Sequence, residues 1–468
     1  MPTPKYPMRD VIVLLPGITG SVLQRDGRDV WALSAGGVFN AIGSLGRSLE
    51  EIAIEGDDDP DRDDLGDGIV ATRLMPDLHL IPGFWTIDGY GKIRETILQG
   101  FDVVEGQNYF EFPYDWRRPN QVSARRLARE SDGWLARWKA ATGNDDARLI
   151  LIGHSMGGLV SRWFLERLDG WTRTRALITF GTPYRGSVNA IDSLVNGMKK
   201  KIGPFTALDL TAALRSFDSV YQLLPIYPCV DPGDGQLLRV AETGQLPGID
   251  QARARRALDF HHAIRDAVTA HQEDQDYVTN GYRIHPITGI SQPTKQSVRV
   301  EQGRVVILQS HRGTDYSGDG TVPRVSALPV EITDGRTGMF AGEKHGSLQN
   351  DGSVLMHLRG LLTGRQINFN DFERVEGPEP VTLGVEVDDV FAKDEPVVVT
   401  AIAKADGLSL SVLVANVDTG EIRTPAPLTQ IADDRYQASL PPLPPGAYRV
   451  TVTMHATRES VTDVVTVL

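Results

Sequence analysis

Three residues far apart in the chain have the types that acyl transfer needs: Ser155, Asp319 and His345. Ser155 stands in Gly153-His154-Ser155-Met156-Gly157-Gly158, a G-x-S-x-G pattern. A serine is a weak nucleophile until a base takes its proton, and the base needs an acid to orient it. Glycines two before and two after the serine remove bulk and tolerate the unusual backbone angles of a strained turn that presents the hydroxyl. Asp319 lies in Gly318-Asp319-Gly320-Thr321-Val322-Pro323, and His345 in Glu343-Lys344-His345-Gly346-Ser347. The order serine, acid, histidine is that of the α/β-hydrolase topology. Asp315 is the rival acid, and His311 sits on another late loop. His154 is expected to turn away from the Ser155 oxygen, and His261 and His262 to lie on a helix surface. Two backbone donors suit the developing oxyanion: the Met156 N–H at the start of the next helix, and the Ile18 N–H in Pro16-Gly17-Ile18-Thr19-Gly20.

Those residues need a scaffold. Arg148–Ile152 is a short apolar run leading into the serine turn, and an amphipathic pattern through Val160, Phe164, Leu165 and Leu168 follows it. Strand, tight turn and helix are the context of a nucleophile elbow. Val11–Leu15, Tyr109–Phe112 and Ala176–Phe180 read as further strands, with a helix over Val122–Thr142. Continuously apolar strands alternating with helices predict a mostly parallel sheet with helices on both faces. Insertions are expected over 31–95 and 187–302, the second forming a cap with helical stretches at Ala207–Leu224 and Ala252–Glu273. Arg304–Gln309 returns to strand, and Val354–Leu362 is a last helix. After Phe372 the pattern changes to short alternating strands separated by turns. This predicts an antiparallel, immunoglobulin-like β-sandwich over 377–468 behind a hydrolase domain over 1–372.

At 468 residues the chain has room for more than one domain. Its net charge of −13 argues against nucleic acid as a partner. The segment from Gly377 onward holds 6 Lys and Arg against 13 Asp and Glu, a net −7, so the front of the chain is only weakly charged. A transient contact with a membrane surface stays open to it. The single cysteine, Cys229, forbids an internal disulfide. Residues 1–10 lack the pattern of an export signal, so a soluble cytoplasmic protein is expected. Asp57 to Asp67 is rich in aspartate, but the EF-hand spacing fails and a solvated, mobile loop is expected. Leu74–Tyr90 is apolar and aromatic, suiting either buried packing or a lid. Lys199-Lys200-Lys201 suits a solvated helix end or contact with lipid headgroups.

Pro16–Ser21, Pro113-Tyr114-Asp115-Trp116-Arg117, Gly153–Gly158, Gly181-Thr182-Pro183-Tyr184-x-Gly186-Ser187, Ser219–Pro225 and Gly318–Pro323 occur in this order. Together they resemble the lecithin:cholesterol acyltransferase family, which includes lysosomal phospholipase A2, over roughly residues 10–360. The resemblance implies an α/β-hydrolase core with an inserted cap, a triad of Ser155, Asp319 and His345, and an oxyanion hole from the Ile18 and Met156 amides. It also implies an acyl hydrolase or acyltransferase, a lipase or phospholipase, working on a lipid ester without metal or cofactor. Asp115, Trp116 and Arg117 become a possible substrate loop. The secreted members staple a membrane-binding loop with a disulfide, which one cysteine cannot do, and the tail sandwich is not part of their pattern. Two other readings stand beside this one: a soluble carboxylesterase for non-lipid esters, and a non-catalytic binding protein on a hydrolase scaffold. Neither the partner nor the role of the sandwich can be read from the sequence.

Overall fold

A computed structural model of the chain describes residues 5–32, 51–75, 79–81, 85–202, 206–332, 338–364, 383–403, 407–455 and 459–468. Among the described residues, six parallel strands form the central sheet: β1 (Val11–Leu15), β2 (Tyr109–Glu111), β3 (Leu149–His154), β4 (Thr174–Phe180), β5 (Arg283–Gly289) and β6 (Met339–Ala341). Their spatial order is β6-β5-β4-β3-β1-β2. Alternation along each strand sends side chains to opposite faces. Val11, Val13, Leu15, Leu149, Leu151 and Leu177 join one apolar cluster, and Ile12, Leu14, Ile150, Ile152 and Ile178 join another. Helices α1 (Asn120–Thr142), α2 (Met156–Arg167) and α3 (Gln251–His271) cover the first face, while α4 (Gly352–Leu362) covers the second. Each fully buried Val, Ile or Leu contributes about 1.5–3 kcal/mol relative to exposure. The continuously apolar run of β3 is therefore what fixes it at the sheet centre.

Local signals end and begin the helices. Gly143, at φ 68°, closes α1 in the left-handed region. Asp250 caps α3, its carboxylate accepting from the Ala252 and Arg253 N–H groups.

Several expectations change. The second insertion was expected to run over 187–302, yet β5 falls inside that range and pairs with both β4 and β6. The sequence of β5, Arg283-Ile284-His285-Pro286-Ile287-Thr288-Gly289, has no apolar run to announce it. The helix expected at Ala252–Glu273 is α3, packed on α2 through stacked Trp163 and Phe260 rings 5.1 Å apart, so it serves as the crossover into β5 rather than as a cap. Ala207–Leu224 is a strand, Thr206–Asp209, followed by two short helices, Thr211–Ser216 and Asp218–Tyr221. The Lys199–Ile202 strand forms a hairpin with Thr206–Asp209, where a helix end was expected. Arg304–Leu308 belongs to a small outlying sheet with Val230–Asp231 and Ser297–Glu301, not to the central one.

The first insertion, expected over 31–95, contributes the strand Ile69–Leu74, which with Arg28–Trp31 flanks Ser21–Arg25 in an antiparallel sheet. The lid reading of Leu74–Tyr90 rests mainly on side chains outside the described residues. Among the described residues, no helix is long and apolar enough to cross a membrane.

The C-terminal part is a sandwich of two sheets. One orders Gly384–Val387, Val397–Ile402, Arg435–Leu440 and Thr429–Ala432. The other orders Val390–Phe391, Ser460–Val467, Gly446–Met454, Leu410–Asn416 and Ala426–Pro427. All pairings are antiparallel except the short Val390–Phe391 edge. Alternate residues such as Val397, Val399, Tyr436, Val450, Val452 and Val465 make its separate core. The expected boundary at 372–377 lies outside the described residues.

Candidate active site

Ser155 sits between β3 and α2 with φ 51° and ψ −122°. A non-glycine residue in that region is strained, and the strain persists only when neighbours hold it. Here the Ser155 N–H donates to Phe180 O at 2.8 Å, and Thr182 Oγ1 donates to Ser155 O at 2.8 Å. The glycines make the turn possible by close approach. A Cβ on Gly157 would lie 2.5 Å from Pro16 O, and one on Gly158 would lie 2.1 Å from Thr182 Oγ1.

The three dispersed residues converge. His345 Nε2 lies 2.9 Å from Ser155 Oγ, and His345 Nδ1 lies 2.7 Å from Asp319 Oδ2. All three are at most 6% exposed. The other carboxylate oxygen of Asp319 accepts from the Thr321 and Val322 N–H groups at 2.9 and 2.6 Å. These donors hold the carboxylate edge so that Oδ2 meets the imidazole. The two loops are also joined directly, His345 N–H donating to Asp319 O at 2.8 Å. In this arrangement Nδ1 carries a proton toward the carboxylate and Nε2 faces the serine, the tautomer a base needs. The rivals are elsewhere. Asp315 accepts from Ser317 N and Gln296 Nε2, and His311 Nε2 meets Pro228 O.

His154 turns away from the serine oxygen, as expected, and it has a partner on each ring nitrogen. Its Nε2 lies 3.1 Å from His345 O and its Nδ1 lies 2.9 Å from Tyr90 Oη. Tyr90 Oη in turn accepts from Gly17 N–H at 2.7 Å. The donors run one way only: Gly17 N–H to Tyr90, Tyr90 O–H to Nδ1, Nε2–H to the His345 carbonyl. Burial, and then the nearby His345, push the His154 pKa down to about 3, so the neutral ring this pattern requires is the stable form. Burial likewise raises the Tyr90 pKa, keeping the hydroxyl protonated. The network links the Gly17–Ile18 loop to the backbone of His345. It fixes the Gly17 amide toward Tyr90 and leaves the next amide, that of Ile18, for another acceptor. The Met156 N–H opens α2 and has no acceptor within the helix. No pattern in the sequence marked Tyr90. Thr182 was legible only as part of Gly-Thr-Pro.

The possible substrate loop is a correction. Trp116 and Arg117 are 1% and 0% exposed. Trp116 Nε1 donates to Ser21 O at 3.1 Å, and Tyr114 Oη donates to Pro16 O at 2.8 Å. Arg117 pairs with Asp115 and Asp67 at 2.6 and 2.9 Å. Arg118 pairs with buried Asp58 at 2.7 Å. The segment therefore braces the Pro16–Ser21 loop and pins the acidic stretch, since buried guanidinium groups need carboxylates around them. That also overturns the solvated, mobile reading of Asp57–Asp67, at least for Asp58 and Asp67. Among the described residues, no group of three or more His, Cys, Asp or Glu side chains is placed to hold a metal ion. His261, expected on a surface, is buried with Nε2 2.7 Å from Gln222 O.

Residues 93–243 match the family model described as lecithin:cholesterol acyltransferase. The match holds Ser155 and the brace at 113–118, while Asp319 and His345 lie beyond it. No curated protein matches the chain in sequence. Among solved structures, a chain of the Tle4–Tli4 complex is 16% identical, with a TM-score of 0.50 over 78% of this chain and 99% of that one. The Bacillus licheniformis lipase BlEst2 in its propeptide form is 12% identical, with a TM-score of 0.36 over 99% of this chain and 94% of that one. Phospholipase PlaB from Legionella pneumophila is 10% identical, with a TM-score of 0.34 over 97% and 90%. The parallel sheet and the elbow give the chain an α/β-hydrolase fold, within which residues 93–243 are similar to the lecithin:cholesterol acyltransferase family.

Proposed function

We propose that the protein is a serine acyl hydrolase or acyltransferase acting on a lipid ester, a phospholipid ester included, through an acyl-enzyme on Ser155. The observation that carries the reading is the unbroken chain from Ser155 Oγ to His345 Nε2 and from His345 Nδ1 to Asp319, at 2.9 and 2.7 Å. His345 takes the Ser155 proton as the oxygen attacks the ester carbonyl. The tetrahedral oxyanion is held by the Ile18 and Met156 N–H groups. As the C–O bond to the leaving alcohol breaks, His345 returns the proton to that alkoxide. Water or an acceptor alcohol then gives His345 a proton and attacks the acyl carbon, and as the bond to Ser155 Oγ breaks His345 returns that proton to the serine oxygen. Asp319 orients the ring and stabilises the imidazolium throughout. The substrate class rests on the family match over 93–243. The hydrolase domain is proposed to span 1–372 and the sandwich 377–468.

Three measurements test the reading. A fluorophosphonate probe is expected to label wild-type Ser155, and absence of label favours a binding protein on a hydrolase scaffold. Ser155→Ala is expected to lose turnover by a factor on the order of a million, as in comparable triads. A series of acyl esters of rising chain length, below and above micelle formation, is expected to show turnover rising with long chains at the interface. Preference for short, monomeric esters would replace the lipid reading with a carboxylesterase.

A further inference from the structure

The run Gly342–Gly346, which carries His345, has no helix to hold it and follows the short strand β6. It is gripped at alternate residues, and each grip leads to the C-terminal sandwich. At Gly342 the holder is Gln292, 1% exposed. Its Nε2 donates to Gly342 O at 3.0 Å and to Leu383 O at 3.3 Å, while its Oε1 accepts from Val385 N–H at 3.1 Å. Leu383 precedes and Val385 belongs to Gly384–Val387, the first described strand of the sandwich. The Gln292 N–H also donates to Gly318 O at 2.9 Å, tying in the loop of Asp319.

At Lys344 the holder is Asp463, on the strand Ser460–Val467, with the two side chains 20% and 7% exposed. At Gly346 the holder is Asp88, whose N–H donates to Gly346 O at 2.8 Å. The Asp88 carboxylate is itself clasped by Arg449 of the sandwich at 3.1 and 2.5 Å. Between the two bodies lies a cleft of about 670 Å³, with Asp319 and His345 on one wall and Val385, Thr400 and Asp463 on the other.

We propose that the C-terminal β-sandwich is a positioning element for the acid–base pair, and that Gln292, Lys344 and Asp463 are positioning residues acting through His345. The inference rests on the reading of Ser155, His345 and Asp319 as a triad. A base must stay within a fraction of an ångström of its nucleophile, and a loop without regular structure keeps that tolerance only when its neighbours over-determine it. Three grips in five residues do so here, and the sandwich supplies or anchors each one.

The test uses the full chain with Asp463→Ala and Gln292→Ala, or the isosteric Asp463→Asn and Gln292→Glu where alanine prevents folding. Turnover of one acyl ester is measured per Ser155 titratable to completion by fluorophosphonate, which removes any loss due to unfolded protein. The expected result is a kcat per labelled site lower by about tenfold to a hundredfold with KM unchanged, and slower fluorophosphonate labelling in parallel. The reversed pair Lys344→Asp with Asp463→Lys is expected to recover turnover relative to Lys344→Asp alone. If both single variants keep wild-type kcat per labelled site, or the reversed pair recovers nothing, the positioning role is wrong. If wild-type Ser155 takes no label, the triad reading fails first and this inference falls with it.

Discussion

Ser155 and His345 meet at 2.9 Å but are delivered there by different kinds of scaffolding. The proposed nucleophile is local. Its turn is built from residues 153–158, its strand is the middle of the sheet, and its helix begins at the next residue. The base is remote. Its loop follows a three-residue edge strand and is placed by Asp319, Gln292, Asp88 and a strand more than a hundred residues later. A local turn is fixed by the chemistry of its own residues. A remote loop is only as well placed as its partners. Damage to the two sides should therefore look different: on the nucleophile side it should cost folding as well as turnover, and on the base side mainly turnover.

Short of removing the Ser155 oxygen itself, the strongest break falls on the base side. Asp319→Asn keeps the shape of the side chain but sets an amide against His345 Nδ1, favouring the wrong tautomer. A loss in kcat on the order of ten-thousand-fold is expected, with an unfolding temperature near that of wild type. A variant within about tenfold of wild type, where one unit of log rate is 1.36 kcal/mol, would remove Asp319 from the proposed triad.

Gly181 touches the base side without being part of it. It has φ +55°, and a Cβ there would lie 2.8 Å from both Asp319 Oδ2 and His345 Nδ1. Gly181→Ala is expected to prise that pair apart and cost about a hundredfold in kcat, the scale of a 1 Å misplacement. Gly100→Ala, where nothing lies within 4 Å, is the control for a harmless methyl. Equal kinetics of the two variants would show that the Asp319–His345 contact tolerates displacement.

Tyr90→Phe probes the link between the two sides. It leaves the Gly17 N–H and His154 Nδ1 without their partner, at about 1–3 kcal/mol for each buried orphan. Turnover is expected to fall about tenfold, the effect of some 1.4 kcal/mol, and the unfolding temperature to fall with it. Loss of stability alone, with kcat per labelled Ser155 intact, would make Tyr90 a packing residue only.

The same contrast explains what could be read from the sequence. β3, the elbow and α2 were legible because one apolar run, two glycines and one helical period lie within twenty residues. The order of Ser155, Asp319 and His345 was legible as a pattern of residue types. What failed was tertiary. β5 contains Arg283, His285 and Pro286, so its place in the sheet depends on neighbours β4 and β6 rather than on its own hydrophobicity. Arg117 and Trp116 look like exposed, chemistry-bearing residues in the sequence, and only Asp67, Asp115 and Ser21 show why they are buried. The strands of the sandwich were visible from their alternation. Its grip on residues 342–346 was not, because Gln292, Lys344 and Asp463 have no spacing in common.

Glu343 offers the mildest test, one that separates the stability of the domain contact from chemistry. Burial, and then the charge of Asp351, push its pKa from 4.5 up to about 8, while the Thr462 and Lys344 amides pull the other way. The folded state therefore keeps this proton up to about pH 8, and the unfolded chain gives it up near 4.5. The stability from the neutral carboxyl is fully present below 4.5 and is lost as the pH rises toward 8, at about 1.4 kcal/mol per unit across that window. His154 and His261, whose pKa values burial depresses to about 3 and about 4, act in the opposite sense below 6.5. Only the difference between variant and wild type isolates Glu343. Glu343→Gln imitates the protonated form, so little change in turnover at pH 7 is expected. Thermal unfolding from pH 5 to pH 9 should show the variant gaining on wild type up to pH 8 and then running parallel to it. Parallel curves over the whole range would mean that Glu343 ionises freely, and that the contact between the base loop and the strand Ser460–Val467 is looser than its burial indicates.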